Sequence, residues 1–360
     1  MVVILLARRI TGLFLLLLLT SNVLFMPIAS AGLISTKDEI SIGRSVGKQL
    51  EEKYGLVDDP ALQERVTRIG MNMVAVSDRR DLPYSFKVLN SKDVNALAAP
   101  GGYIYIFKGL VDFMPSDEEL AGVIGHEIGH VVKRHTARQM EKSLGLSILF
   151  GVVFGDRGVM LQNLAYSAIM AGHSRSDERE ADYLGFSHSF KAGYNPYSML
   201  LGLYKLSELD QKYHYDLFSD HPEGKARIAL AQKYLREAGI QPTVVQDEDG
   251  KAARVVDGEW QLPSLHATLN GYKPLLRAYF AAGNLYRLRE LTDYSSDRYI
   301  LDTDGKNFTV YYDDREIITI TPEDATAHNM GAQDLANLCI DTLRKWQPKQ
   351  LSGKTKLTNK

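Results

Sequence analysis

The stretch SDEELAGVIGHEIGHVV, residues 116–132, places His126, Glu127 and His130 on one predicted helix. Ser116 followed by Glu119 is a capping box, so the helix is expected to begin there and to run to about Met140. Two histidines at i and i+4 project from one helical face, about one turn apart. That separation lets both imidazoles reach a single zinc ion near tetrahedral geometry. Glu127 is offset by roughly 100° per residue, so it flanks the metal without ligating it. It is placed to take a proton from a zinc-bound water. Leu120, Val123, Ile124, Ile128, Val131 and Val132 make the helix apolar on most sides, which argues against two solvated surface histidines. Buried imidazoles need partners, and a metal supplies one.

A third ligand is expected on another element, and SRSDEREAD, residues 174–182, offers it. Glu178 and Asp182 are four apart and share a helical face, which Arg175 joins three residues before Glu178. Glu178 is expected to ligate. Asp182 is expected to accept a hydrogen bond from the second nitrogen of a ligand histidine. Glu180 points roughly 200° away and is the poorer candidate. Taken alone this segment would read as a charged, solvated face; beside a His-Glu-x-x-His helix it does not. His135 is expected to be exposed beside Lys133 and Arg134. His173, His188, His214, His266 and His328 show no metal spacing and are assigned structural or surface roles.

Working outward, the chain has 360 residues, 45% hydrophobic and 24% charged, with a formal net charge of -2. That length allows one large domain with a smaller one. The near-neutral balance gives no global pull toward nucleic acid or anionic membrane. Cys339 is the single cysteine, so neither an intramolecular disulfide nor a thiolate metal cluster is available. Residues 1–31 carry Arg8 and Arg9, an apolar centre from Leu13 to Leu19, Pro27, and a small-x-small site at Ala29-Ser30-Ala31. This reads as a signal peptide cut before Gly32, with an uncleaved N-terminal membrane anchor as the alternative.

Asp38 to Val76 has helical spacing with a break at Gly55 to Pro60, and Tyr84 to Asn90 alternates as a strand. A Pro-Gly-Gly turn at 100–102 leads into a second strand, Tyr103 to Phe107. Leu144 to Phe154 is apolar but too short to span a bilayer, and reads as a buried helix or a flap beside a cleft. Ala165 to Ala192, Pro196 to Leu209 and Pro222 to Ala238 are expected helices. The polar, acidic residues 243–262 read as a linker. Beyond it Leu265 to Ala282 is expected to be helical. Alternating runs at 285–291, 298–302, 308–312 and 316–321 follow, with a hairpin signal at Asp304-Gly305. An amphipathic helix over 333–346 closes the chain, and residues 348–360 are expected to be a disordered tail.

Residues 90–230 resemble the HtpX/BepA-like zinc metallopeptidases, the family of the CAAX prenyl endopeptidases. The resemblance rests on Asn95-Ala96 with Pro100-Gly101-Gly102, on HEIGH at 126–130, on the Ser-Arg-x-x-Glu-x-x-Ala-Asp segment at 174–182, and on Asp220-His221-Pro222 with Arg227. It implies a gluzincin-type fold with Glu178 as third ligand. It also implies a substrate-binding edge strand near Tyr103, spanning Gly102, Tyr103, Ile104 and Tyr105. An edge strand would hold an extended substrate by main-chain pairing. The resemblance puts His221 at the cleft, as a fourth ligand in a resting state or a donor to the reaction intermediate. Pro222 suits the first helical position, which leaves His221 on a loop at the cap. Several membrane crossings of some family members, and the C-terminal helical repeats of BepA, are not found here, so the chain looks like the soluble periplasmic branch.

The expected fold is therefore α+β: a mostly helical gluzincin-type peptidase domain with a small sheet over residues 32–242, a linker over 243–262, and a small α+β domain with a β-meander over 263–347. The expected function is a zinc-dependent endopeptidase with one Zn2+ per chain. Its substrates would be extended polypeptides, misfolded or unassembled envelope proteins. The expected location is periplasmic or secreted. No nucleic-acid partner is expected, and the C-terminal domain leaves room for an envelope protein partner. The alternative is a chaperone-like or scaffold envelope protein whose zinc site is latent or structural; Glu127 argues against it, since a structural site needs no general base.

Overall fold

The computed structural model describes residues 33–149, 157–213 and 224–349. The first helices follow their predicted boundaries: α1 is Thr36–Tyr54 and α2 is Pro60–Val74. A three-stranded sheet comes next, from β1 (Ser85–Leu89), β2 (Ala96–Ala99) and β3 (Tyr103–Phe107). A short helix, α3 (Lys108–Phe113), leads into α4 (Asp117–Val132). The helical region continues with α5 (His135–Leu149), α6 (Arg157–Met170), α7 (Arg175–Lys191), α8 (Ser198–Tyr213) and α9 (Gly224–Glu237).

The sheet order is β1-β3-β2, with β1 parallel and β2 antiparallel to β3. Side chains alternate across a strand. Ile104 and Ile106 therefore pack with α2 and α4, while Tyr105 and Phe107 pack with α1, α5 and α6. Both faces of the sheet are covered, as its near-continuous apolar sequence requires. The β2–β3 turn is built on Gly101 and Gly102, both at positive φ (76° and 97°). A Cβ on Gly101 would lie 2.6 Å from the Ile40 Cα, so α1 can seat against the turn only because no side chain is there.

Two expectations about this sheet change. Tyr103 to Phe107 is not an edge strand: β3 is paired on both sides, Ser85↔Tyr103 with β1 and Ala99↔Tyr103 with β2. Gly102 lies in the turn, and Tyr105 points its hydroxyl at Glu51 (2.9 Å). The edge toward α4 is β2. The helix begun at Ser116 also stops at Val132 rather than near Met140. Arg134 takes a positive φ of 57°, and its Nε donates to Glu39 Oε1 (2.7 Å) on α1. Arg79, bound to the same carboxylate, donates to the Val131 carbonyl (2.9 Å) at the end of α4. The buried Glu39 thus holds a break between α4 and α5.

Residues 243–262 are not a linker. They form β4 (Thr243–Gln246), β5 (Ala253–Asp257) and β6 (Trp260–Gln261), an antiparallel sheet. The acidic residues 247–249 are only the β4–β5 loop, while Ala253 and Val255 face inward. Next come α10 (Pro274–Leu288) and a meander of β7 (Tyr299–Thr303), β8 (Phe308–Tyr312) and β9 (Arg315–Ile320), with the β7–β8 turn at Asp304-Gly305 as expected. The alternating run 285–291 is instead the end of α10 and the turn after it. The chain closes with α11 (Pro322–Ala327) and α12 (Ala332–Arg344). One buried cluster runs from Phe190, Leu200 and Leu235 in the helical region through Val255 and Leu285 to Val310 and Trp346. The C-terminal region therefore shares its core with α7–α9 rather than hanging from a tether. Among the described residues no helix is long and apolar enough to cross a membrane. Residues 1–31 and 350–360, which include the expected signal peptide and most of the expected tail, lie outside the described residues.

Candidate metal centre

Helices α4 and α7 meet through small residues. A Cβ on Gly129 would sit 2.9 Å from the Ala181 Cα, and one on Gly185 would sit 2.9 Å from the His126 nitrogen. The backbones approach closely because glycine stands at both points. Ser174 opens α7 with a capping box to Asp177, which sets the rotation of its first turns. Glu178 and Asp182 are thereby brought against His126 and His130.

The Nε2 atoms of His126 and His130 are 2.9 Å apart. Glu178 faces both, Oε2 to His126 Nε2 at 3.4 Å and Oε1 to His130 Nε2 at 3.4 Å. Zinc held tetrahedrally by nitrogen and oxygen at about 2.0–2.1 Å separates its ligand atoms by about 3.3 Å. These three buried donors fit such an ion in spacing and in type. Charge fits as well. With both imidazoles neutral, as metal ligation requires, the buried carboxylates of Glu127, Glu178 and Asp182 outnumber the Arg227 guanidinium beside them among the described residues, a balance that suits a divalent cation.

The surroundings fix the ring orientations. His126 Nδ1 lies 2.9 Å from Asp182 Oδ1. Asp182 in turn accepts from Arg227, Nε to Oδ2 at 2.8 Å and an Nη to Oδ1 at 2.7 Å, and the other Nη reaches Glu178 Oε2 at 3.1 Å. Burial alone would push the Asp182 carboxyl up; Arg227 and His126 more than offset it and hold it below the ordinary range. Burial opposes charge on both imidazoles. On His126 the charge of Glu178 and the hydrogen bond donated to Asp182 outweigh it, pushing the pKa up to about 9. On His130 burial and the neighbouring His173 prevail, holding it well below 6.5.

His135 is not exposed. The break at Arg134 turns it inward, its Nδ1 lies 2.8 Å from His130 Nδ1, and the residue is 2% exposed. His173 stacks on His130 with ring centroids 4.0 Å apart, although neither residue has metal spacing in sequence. Glu180, away from the donors as expected, faces His135 Nε2 at 3.2 Å. Arg175 sits exposed at the start of α7; the buried arginine beside the donors is Arg227, more than forty residues further along. His221 lies outside the described residues.

Glu127 is buried and lines a cavity of about 40 Å3 together with His126. Val94, Ala96, Leu110, Val123, Leu203 and Leu206 make most of its wall apolar. Ala96 is the first residue of β2, so the edge strand, the candidate base and the candidate donor His126 meet at one place.

The donor set is of the His-Glu-x-x-His metal-binding type, and residues 60–235 match the pattern of Peptidase family M48. Residues 253–346 match a domain of unknown function, DUF8459. Among individual proteins, the chain is similar to the beta-barrel assembly-enhancing protease of Escherichia coli K12, 28% identical over 242 residues, covering 62% of this chain and 49% of that protein. It is similar to the mitochondrial metalloendopeptidase OMA1 of Arabidopsis thaliana, 34% identical over 190 residues (51% and 39%). It is also similar to the metalloprotease LoiP of E. coli, 30% identical over 165 residues (44% and 65%). The chain spans about half the length of the first relatives it matches.

Proposed function

We propose that this protein is a zinc-dependent endopeptidase of gluzincin type, with His126, His130 and Glu178 as metal ligands and Glu127 as general base. The observation that carries the reading is the convergence of the two Nε2 atoms and the Glu178 carboxylate within 3.4 Å of one another, beside a cavity lined by Glu127. When bound, zinc supplies a Lewis acid that polarises the scissile carbonyl and acidifies water. Glu127 takes the proton from the attacking water and delivers it to the leaving amine. Asp182, held ionised by Arg227, keeps His126 in the Nδ1–H tautomer with its Nε2 lone pair turned toward Glu178. His221 acts as a donor to the intermediate or as a resting fourth ligand.

The substrates are extended polypeptides. Ala96 on the edge strand β2 supports main-chain pairing there, and the apolar wall supports an apolar side chain next to the cleaved bond. The name beta-barrel assembly-enhancing protease, carried by a bacterial relative, supports envelope proteins as the substrate class; the apolar segment Leu13 to Leu19 and the small-x-small site at Ala29-Ser30-Ala31 support a periplasmic location after removal of residues 1–31, with the C-terminal region free to take an envelope partner. The test is zinc content with casein cleavage for wild type and Glu127→Gln. Both should hold about one zinc per chain, while cleavage falls roughly 10²–10⁴-fold in the variant. Wild-type proteolysis by Glu127→Gln would overturn the mechanism.

A further inference from the structure

Beyond the ligands, one chain of contacts has a single consistent direction of hydrogen bonding. His130 Nε2 is turned toward His126 and Glu178, and its Nδ1 lies 2.8 Å from His135 Nδ1. His135 Nε2 faces Glu180 Oε2 at 3.2 Å and Asp177 Oδ1 at 3.5 Å. Arg138 bridges those two carboxylates, 3.2 Å from Glu180 and 3.4 Å from Asp177. Ionised carboxylates only accept, so His135 donates from Nε2. A neutral His135 then has a lone pair on Nδ1 and accepts from His130 Nδ1–H. His130 is left with its own lone pair on Nε2, the atom aimed at the metal position.

We propose that His135 is a positioning residue that selects the metal-ready tautomer and ring orientation of His130, acting as a relay between His130 and the Glu180–Asp177 carboxylates. The two ligand histidines are then oriented by different means. His126 meets a carboxylate directly, and His130 meets one through a second imidazole. The inference rests on the ligand assignment above, but the tautomer of His130 can be measured without it.

Three observations support a role more specific than packing. His135 is 2% exposed yet contacts the ring with its polar edge rather than filling apolar space. It reaches that place only because Arg134 leaves helical geometry, held by Glu39. On an unbroken helix His135 would lie roughly 140° around the axis from His130, at 100° per residue. His173 stacks on the face of the His130 ring, which restricts ring rotation and leaves the tautomer as the variable to be set.

The experiment compares wild type, His135→Gln and His135→Leu. Glutamine can accept from His130 and donate to Glu180, whereas leucine fills space and can do neither. Nitrogen-15 spectra of the zinc-free wild type should show His130 as the Nδ1–H tautomer. Zinc affinity, read by competition with a chelating dye, should fall about 10–100-fold in His135→Leu and stay near wild type in His135→Gln. Equal affinity in His135→Leu, or an Nε2–H tautomer for His130 in the zinc-free wild type, overturns the proposal. If His135→Leu does not fold, the wild-type tautomer and the His135→Gln affinity decide the matter. A wild type that binds no zinc refutes the ligand assignment, and the tautomer still judges the relay.

Discussion

Arg227 grips Asp182 through two hydrogen bonds, of 2.7 and 2.8 Å, from a helix that begins forty-two residues after Asp182 in the chain. Both side chains are about 5% exposed or less. The same guanidinium reaches Glu178, so one residue sets the charge and the orientation of a candidate ligand and of the group behind another. A planar fork suits two carboxylates at once; a lysine ammonium does not.

Removing that fork leaves two buried carboxylates without their cation. Arg227→Ala should destabilise the zinc-free protein by about 3–5 kcal/mol in urea denaturation. In whatever fraction folds, zinc binding should weaken by about 10–100-fold. Arg227→Lys should fall between, because the charge returns and the bidentate geometry does not. A fully stable Arg227→Ala would mean that the buried pair contributes nothing.

The two carboxylates of α7 separate by facing. Glu178→Ala removes a donor and should abolish zinc retention through gel filtration. Glu180→Ala removes only the far end of the His135 contact, where the side chain is 41% exposed and shared with Arg138. Its loss of affinity should be about tenfold or less. Metal analysis showing the reverse order would refute the assignment of Glu178.

Two glycines beside the cavity should respond oppositely to alanine. At Gly202 on α8 the nearest atom to an added Cβ is Val123 Cγ2 at 3.4 Å, an ordinary contact. Gly202→Ala should gain about 0.5–1 kcal/mol from helix propensity while narrowing the apolar cavity. Cleavage of peptides with a large apolar residue at the scissile bond should fall relative to those with alanine there. At Gly122 the same Cβ would meet the Ser198 carbonyl oxygen at 2.4 Å, a backbone atom that cannot swing away. Gly122→Ala should cost about 1–3 kcal/mol. Thermal melts and kcat/KM on a peptide panel test both.

What was legible in the sequence was local. His126, Glu127 and His130 lie within five residues, and Glu178 and Asp182 within another five, so helical spacing placed each set. Arg227 was visible but had no assigned partner, because its contact with Asp182 spans 45 residues and no periodicity reports it. His135 was misplaced by extrapolating a helix past Val132. The break depends on Glu39, nearly a hundred residues earlier. The family resemblance implied an edge strand at Tyr103, and no local pattern reports its parallel, non-local pairing with β1 beside the turn from β2. Residues 243–262 were judged on their acidic loop, which hid the inward alternation of Ala253 and Val255.

The C-terminal region offers a pH test of its own, away from the metal centre. Asp324 is fully buried, and Arg277 donates to both its oxygens, at 3.1 and 2.7 Å. Backbone nitrogens of His266 (2.7 Å), Ala267 (2.8 Å) and Thr321 (3.0 Å) complete its shell. Burial pushes this carboxyl up, but Arg277 and the amides outweigh it and hold it below the usual range. A carboxyl depressed in the folded state contributes stability that is fully present above its unfolded pKa, about 3.9, and is lost as pH falls through the folded value. Stability from this group should therefore be flat between pH 8 and about 5 and should decline below about 4. Glu118 and Glu119, pushed up by burial, titrate with the opposite sign at higher pH, so total stability mixes the two effects. The quantity to follow is the difference between wild type and Asp324→Asn, in which those glutamates cancel. That difference should be several kcal/mol at neutral pH, where the amide leaves Arg277 buried without its counter-charge, and should shrink in acid. A difference that stays constant down to pH 3 would show that Asp324 is not held ionised by Arg277.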